Sequence, residues 1–272
     1  LTGGEPLVRQ DLPSLVENLA SIQGLKDLCL TTNGALLAER VNALKNAGLR
    51  RVNISVDTLD AEKFRSMTKR GDLDKVLEGI FAAKEAGLAP IKLNAVVERG
   101  VNEDDIIPLV EFARQHGFGM RFIEYMDVGN SNHWTSAKLV AKKDIIEKIN
   151  AQYPLREVGR DQGTAPAVDY EFIDGAGDIG VIASVTEPFC SSCTRLRLTA
   201  DGKLVTCLFS QQGQDVKALL RGGANDDELR TFLSSIWQKR SDRYSMDRLE
   251  ALKSAKYDPA NHRKIEMISL GG

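Results

Sequence analysis

The feature that most restricts how this chain can fold is a loose repeat. It reads "NAGLRRVNISVD" at 46–57, "EAGLAPIKLNAVV" at 85–97 and "QHGFGMRFIEYM" at 115–126, with a weaker copy, "SIQGLKDLCLTTN", at 21–33. In each copy the tail of a helix meets a glycine and then an apolar-rich strand. Apolar residues recur at helical spacing beside these strands: Leu37, Val41 and Leu44; Val76, Leu77, Ile80 and Phe81; Ile106, Leu109, Val110 and Ala113. Gly48, Gly87 and Gly117 stand where those helices must stop, in a left-handed conformation that glycine adopts at little cost. Strands alternating with helices predict an α/β fold with a parallel sheet, a full or partial (β/α) TIM-type barrel.

The strands carry a second message. With every other residue on one face, Val52, Ile54 and Val56 oppose Asn53, Ser55 and Asp57. In the next strand Leu93, Ala95 and Val97 oppose Lys92 and Asn94. In the last, Ile123 and Tyr125 oppose Glu124 and Met126. If the apolar faces meet the helices, the other side of the sheet is polar, where a purely structural barrel would be filled with branched aliphatics. Three polar strand faces in succession predict a ligand cavity. Cys29, among Leu28 and Leu30, reads as a core residue.

Beyond residue 127 the pattern changes. A loop, "DVGNSNHWTSAK", leads to a helix in "AKKDIIEKINAQY" and then to short β segments near 155–159, 168–173, 178–183, 194–200 and 203–208, with a hairpin turn at "TADGKL". These predict a smaller antiparallel unit, followed from 213 onward by two helices and a polar tail. The organisation expected is therefore a barrel region, 1–127, and a C-terminal extension, 128–272. No run is apolar enough to span a membrane, and a formal net charge of −2 gives no bulk reason to bind nucleic acid.

Three of the four cysteines form the spacing Cys190-x2-Cys193-x13-Cys207. An odd number argues against disulfides, and structural zinc wants four protein ligands. His116, His133 and His262 all lie far away in sequence. A [4Fe–4S] cluster on three cysteines, with one iron left open, is the preferred reading; zinc is the alternative. Arg195 and Arg197 flank Leu196 and project to one side of their strand. Beside a metal site and a polar cavity, these two cations suit a phosphate-bearing substrate.

At the start of the chain, "TGGEP" (Thr2–Pro6) sets a tight turn before a carboxylate. Its glycines allow close approach of backbone to a ligand, and Glu5 can accept from an amine. Together "LTGGEPLVRQDL", "LTTNG", "NISVDTLD", "IKLNAVV", the three spaced cysteines with Arg-Leu-Arg and the terminal Gly-Gly resemble the radical S-adenosylmethionine GTP 3′,8-cyclases of molybdenum-cofactor biosynthesis, over essentially the whole chain.

The resemblance implies that Gly4, Ser55 and Met126 contact S-adenosylmethionine, with Glu5 near its amino group. It implies that Thr31, Lys92, Arg195, Leu196 and Arg197 contact GTP, and that Cys190, Cys193 and Cys207 hold an auxiliary [4Fe–4S] cluster. The implied reaction is reductive cleavage of S-adenosylmethionine, abstraction of the ribose 3′ hydrogen and closure onto guanine C8, giving 3′,8-cyclo-7,8-dihydro-GTP. Also implied are an external electron donor, a downstream enzyme of molybdopterin synthesis, a cytoplasmic location, a homodimer, and a Gly-Gly tail that reaches the active site. One departure stands out: the family's first cluster sits on an N-terminal Cys-x3-Cys-x2-Cys that is absent here. The chain opens at Leu1 as if at the end of a strand, so the expectation is a sequence lacking its N-terminal segment and first strand, unable to generate a radical alone. Competing readings are a peptide-modifying enzyme of the same chemistry and a non-catalytic module with zinc on the three cysteines.

Overall fold

The computed structural model describes residues 1–69, 71–130, 132–258 and 264–270. Its main sheet has seven strands: β1 (Cys29–Thr32), β2 (Arg51–Ser55), β3 (Ile91–Val97), β4 (Gly119–Glu124), β5 (Leu155–Gly159), β6 (Val168–Phe172) and β7 (Asp178–Ile182). Their spatial order is β1-β2-β3-β4-β7-β6-β5. The first four are parallel, β7 is parallel to β4, and β6 and β5 run antiparallel beyond it. A second, antiparallel sheet joins β8 (Arg197–Leu198), β9 (Lys203–Val205) and β10 (Gln214–Asp215) in the order β10-β9-β8. Leu1 already lies in a ladder position beside β1: its N–H donates to Cys29 O at 2.5 Å and its carbonyl accepts from Thr31 N at 2.8 Å.

Helices α1 (Leu12–Ala20), α2 (Leu37–Asn46), α3 (Ala61–Thr68), α4 (Leu73–Glu85), α5 (Ile106–His116) and α6 (Lys142–Asn150) accompany the main sheet. Leu37, Val41 and Leu44, with Ile106, Leu109, Val110 and Ala113, are buried as their spacing predicts; in α4 the buried stripe is Leu73, Val76, Ile80 and Ala83. Gly48, Gly87 and Gly117 follow α2, α4 and α5 at φ 105°, 70° and 72°. Gly34 and Gly79 are needed for a different reason. A Cβ on Gly79 would stand 2.4 Å from Gly34 O, so only hydrogen lets α4 lie this close to the β1–α2 turn.

Two expectations are corrected. The segment 155–182 is no separate antiparallel unit: β7 pairs with β4 from Met120↔Ile179 to Ile123↔Ile182, which extends the main sheet across residue 127. Among the described residues from 213 onward there are three helices, α7 (Val216–Arg221), α8 (Asp226–Gln238) and α9 (Tyr244–Lys253), and a short α10 (Met267–Leu270), where two helices and a tail were expected. Among the described residues no helix is long and apolar enough to cross a membrane. The Gly271–Gly272 tail and His262 lie outside the described residues.

Candidate active site

Register decides which side chains share the polar face. Thr31 pairs with Asn53 and Asn53 with Lys92; Ser55 pairs with Asn94 and Asn94 with Arg121. On β3 the alternation is complete, with Leu93, Ala95 and Val97 at 1% exposure or less and Lys92, Asn94 and Val96 half-buried. Asn53 Nδ2 donates to Thr31 Oγ1 at 3.3 Å. Burial lowers the pKa of Lys92, and the nearby Arg121 charge lowers it further.

The β4 face was expected the wrong way round. Ile123 pairs with Val96 and Arg121 with Asn94, so these stand on the Lys92 side, while Glu124 pairs with Val97 on the helix side. Glu124 is fully buried, and its carboxylate accepts from Lys142 N (2.9 Å), Val185 N (2.8 Å), Thr186 N (2.9 Å) and the Thr186 hydroxyl. It ties the start of α6 to the turn after β7. Arg121 takes its place on the polar face, laid over Gly180, where a Cβ would meet its Nε at 2.8 Å. Its guanidinium reaches Asp178 at 2.8 Å and Asp169 at 3.3 Å. Cys29 is likewise no core residue. It is half-buried on the same face as Thr31, with Arg51 Nη1 donating to its sulfur at 3.2 Å, and burial raises its pKa.

The remaining site candidates gather where the parallel strands end, the usual place for ligands in such sheets. Glu5 caps the turn after "TGG": Oε1 accepts from Leu7 N (3.0 Å) and Thr32 Oγ1 (2.6 Å), and Oε2 from Asn33 N (2.8 Å). Gly4 beside it is exposed. Ser55 ends β2 and is exposed. Two residues on, burial pushes the Asp57 carboxyl up to about 6, against the lowering effect of a hydrogen bond from Val96 N at 2.8 Å. Met126 follows β4; its carbonyl accepts from Asn132 Nδ2 and its sulfur from Ser184 Oγ, both at 2.7 Å.

Next to it lies a group that strand periodicity gave no reason to expect. The Asp127 carboxylate, 1% exposed, accepts from Arg248, Lys264, Tyr244 and Tyr257. Burial pushes its pKa up, but the Arg248 charge and the three other donors outweigh that and hold it at about 2. Its partners lie 117 to 137 residues away along the chain, beyond any local signal.

Cys190 opens a single 3-10 turn that ends at Cys193, and Cys207 follows β9. All three thiols are free and half-buried. Arg195 Nε donates to Cys193 Sγ at 3.2 Å, and Arg240 donates to the Cys193 carbonyl. Burial lowers the Arg197 pKa first, then the Arg195 charge, with Cys207 and Cys193 acting the other way. Leu196, between the two arginines, is 42% exposed. Among the described residues no three His, Cys, Asp or Glu side chains converge on a point that could hold a metal ion. The cysteines are neighbours in one loop system rather than a formed cage.

Residues 1–113 fit the Radical SAM superfamily and residues 118–246 the Molybdenum Cofactor Synthesis C family. A crystal structure of Streptococcus suis SuiB bound to S-adenosylmethionine shares the fold at a TM-score of 0.54 and 16% identity, over 85% of this chain and 55% of that one. The class is therefore that of the radical S-adenosylmethionine enzymes, which work with S-adenosylmethionine and [4Fe–4S] clusters.

Within that class the relatives are specific. GTP 3′,8-cyclase of Xanthomonas axonopodis pv. citri is 46% identical over the whole chain and 79% of its own length. GTP 3′,8-cyclase 1 of Mycobacterium tuberculosis and the Aquifex aeolicus enzyme are each 42% identical, covering 78% and 80% of theirs. The chain belongs to the GTP 3′,8-cyclase family.

Proposed function

We propose that this chain forms the body of an enzyme that converts GTP to 3′,8-cyclo-7,8-dihydro-GTP with S-adenosylmethionine and a reductant, the first step of molybdopterin biosynthesis. The observation that carries the reading is the polar face of an otherwise apolar sheet. Thr31, Asn53 and Lys92 stand in one row, Ser55, Asn94 and Arg121 in the next, and cations are supplied locally while the net charge is −2. S-adenosylmethionine lies across the strand ends, against Gly4, Ser55 and Met126. Three of the four lone-pair directions of Glu5 are occupied within the chain, which leaves one for the cationic amine. GTP lies between Thr31 and Lys92 on one side and Arg195, Leu196 and Arg197 on the other, where guanidiniums suit triphosphate and purine edges.

Cys190, Cys193 and Cys207 would hold the auxiliary [4Fe–4S] cluster. Their chemistry fits: three free thiols on one loop system, no fourth cysteine near them in sequence, and Arg195 already donating to a sulfur. When bound, such clusters would supply electron transfer and a Lewis-acidic iron site. The protein's residues bind, orient and exclude water. Residues 1–127 form the partial barrel, with the S-adenosylmethionine contacts and with Thr31 and Lys92 facing GTP, and residues 128–272 form the extension that carries the cysteines and the two arginines. The radical-generating cluster needs a Cys-x3-Cys-x2-Cys motif that these 272 residues lack, so the assay uses protein carrying that motif. Incubated anaerobically with GTP, S-adenosylmethionine and dithionite, it yields the cyclised nucleotide; 5′-deoxyadenosine without any GTP consumption would overturn the substrate assignment. Metal analysis separates the cluster from its alternative: about one zinc beside only about four irons, the content of the radical-generating cluster alone, would remove the auxiliary centre.

A further inference from the structure

The buried carboxylate after β4 joins parts of the chain that the proposed reaction must hold in register. Asp127 adjoins Met126, and Arg248, which pairs with Asp127 Oδ1, also donates through Nη2 to the Ser184 carbonyl at 2.5 Å. Ser184 in turn donates through its hydroxyl to Met126 Sδ at 2.7 Å. On the other side, Tyr244, which donates to Asp127, stacks on Phe209 with ring centroids 4.4 Å apart. Phe209 is two residues from Cys207, and its N–H donates to the Cys207 sulfur at 3.5 Å. Arg248 and Lys264 lie over this aromatic pair, 5.1 Å from Phe209 and 5.0 Å from Tyr244 respectively.

Lys264 adds the C-terminal segment to the same assembly. Its Nζ donates to the Asp127 carbonyl at 2.5 Å and to Oδ2 at 2.6 Å. Around it, Asn130 Oδ1 accepts from Lys264 N at 2.9 Å and Asn130 Nδ2 donates to Lys264 O at 2.7 Å, while Ile265 N donates to Ser210 O at 3.1 Å. One strand of chain thus grips the loop after β4 with one residue and the loop after Cys207 with the next. Side-chain exposure is 1% for Asp127, 0% for Arg248 and 2% for Lys264. In so dry a setting these bonds are strong and geometrically demanding.

We propose that Asp127 is a positioning residue that registers the Cys207 loop against the cofactor end of the sheet. The cluster loop carries the arginines assigned to GTP, and Met126 carries the contact assigned to S-adenosylmethionine, so this inference rests on that functional reading. Asp127 touches neither ligand; it fixes the separation between the two. Misplacing reacting groups by about 1 Å costs on the order of 100-fold in rate. Here the loss falls on hydrogen transfer between ligands rather than on the binding of either.

The test uses Lys264→Met in the cluster-loaded enzyme. This variant leaves Asp127 and Arg248 as a balanced pair and is expected to fold. Asp127→Asn leaves two buried cations without an anion and serves as the more severe second variant. With dithionite as reductant, the ratio of 5′-deoxyadenosine released to nucleotide cyclised is expected to rise by about tenfold or more in Lys264→Met, with the KM values for GTP and S-adenosylmethionine nearly unchanged. A purely structural role would lower both products in parallel at constant ratio, and that outcome overturns the proposal. Hydrogen exchange gives a readout independent of activity: the amides of Phe209, Ser210 and Ile265 should exchange faster together in the variant. If they do not, the registering role fails even where catalysis changes. Wild-type enzyme that makes no cyclised nucleotide would sink the functional reading, and the exchange data would still decide the contact.

Discussion

Replacing Glu124 by glutamine changes one oxygen to an amide nitrogen at a fully buried position where four donors point at a carboxylate. If the glutamine oxygen serves Val185 N and Thr186 N, its amide nitrogen faces Lys142 N and the Thr186 hydroxyl. The hydroxyl can rotate and accept, but the Lys142 N–H cannot. One charge-assisted bond is lost, about 1.5–3 kcal/mol, and a buried donor is left facing another donor, about 1–3 kcal/mol more. The total, about 2.5–6 kcal/mol, places the variant in the severe tail of single substitutions. In a chain of this size it corresponds to a fall of about 10 °C in Tm. Differential scanning fluorimetry and urea titration measure it. The opposite face assignment, with Glu124 lining the cavity, predicts near-normal Tm and reduced turnover. A Tm within about 2 °C of wild type, under 1 kcal/mol by the same scaling, would refute the placement of Glu124 on the helix side.

Gly79→Ala gains up to about 1 kcal/mol of helix propensity. Its Cβ would meet Gly34 O at 2.4 Å and Leu37 Cβ at 3.1 Å, an overpacking that costs about 1–3 kcal/mol. The net expectation by urea unfolding is destabilisation, and a more stable variant would show that the helix can shift away. Asp57 has a folded-state pKa raised to about 6, so its contribution to stability is complete below the ordinary carboxylate range and is lost as pH rises through 6. Asp57→Asn should therefore be more stable than wild type at pH 7.5, by up to about 3 kcal/mol, with the difference gone below pH 4; an advantage that grows on acidification would reverse the sign. Arg195→Ala and Arg197→Ala should each weaken GTP binding about 10- to 100-fold by anaerobic calorimetry. Unchanged GTP affinity in both would remove the cluster loop from the substrate site.

Much of the fold was legible because β2 and β3 are two-sided: Val52 and Ile54, then Leu93, Ala95 and Val97, alternate against polar residues, and period-two patterning reads such strands directly. The helices showed themselves in the same way, and Gly48, Gly87 and Gly117 marked their ends. β4 was misread because its polarity is inverted at one point. Glu124 is buried on the helix side, satisfied by backbone N–H groups from residues 142, 185 and 186, while the apolar Ile123 lies on the polar side. Nothing within the strand announces donors so far along the chain. The same limit hid the union of β7 with β4, and Arg121, whose acidic partners Asp169 and Asp178 come from later strands. Cys29 was misplaced for a simpler reason: strand parity puts it with Thr31, and its apolar neighbours Leu28 and Leu30 concealed that. Of the positions assigned to ligands by resemblance, Ser55 ends β2 and Met126 follows β4, Thr31 and Lys92 lie within β1 and β3 on the polar face, and Arg195–Arg197 lie on the cysteine loop.

The pairing of β7 with β4 bears on how freely such an enzyme can be rebuilt from parts. The two family profiles meet between residues 113 and 118, a seam that invites exchange of one relative's C-terminal part for another's. Yet β4 begins at Gly119 and hydrogen-bonds to β3 on one side and β7 on the other, so a graft at the seam carries the fourth strand away with the incoming piece. Cutting later, at 127, keeps β4 but strips it of β7, exposing a fresh edge through the middle of the sheet, a template for aggregation. A workable chimera must therefore match strand register across the junction as well as loop sequence. C-terminal parts in this architecture exchange most readily between partners whose β4 and β7 were already compatible.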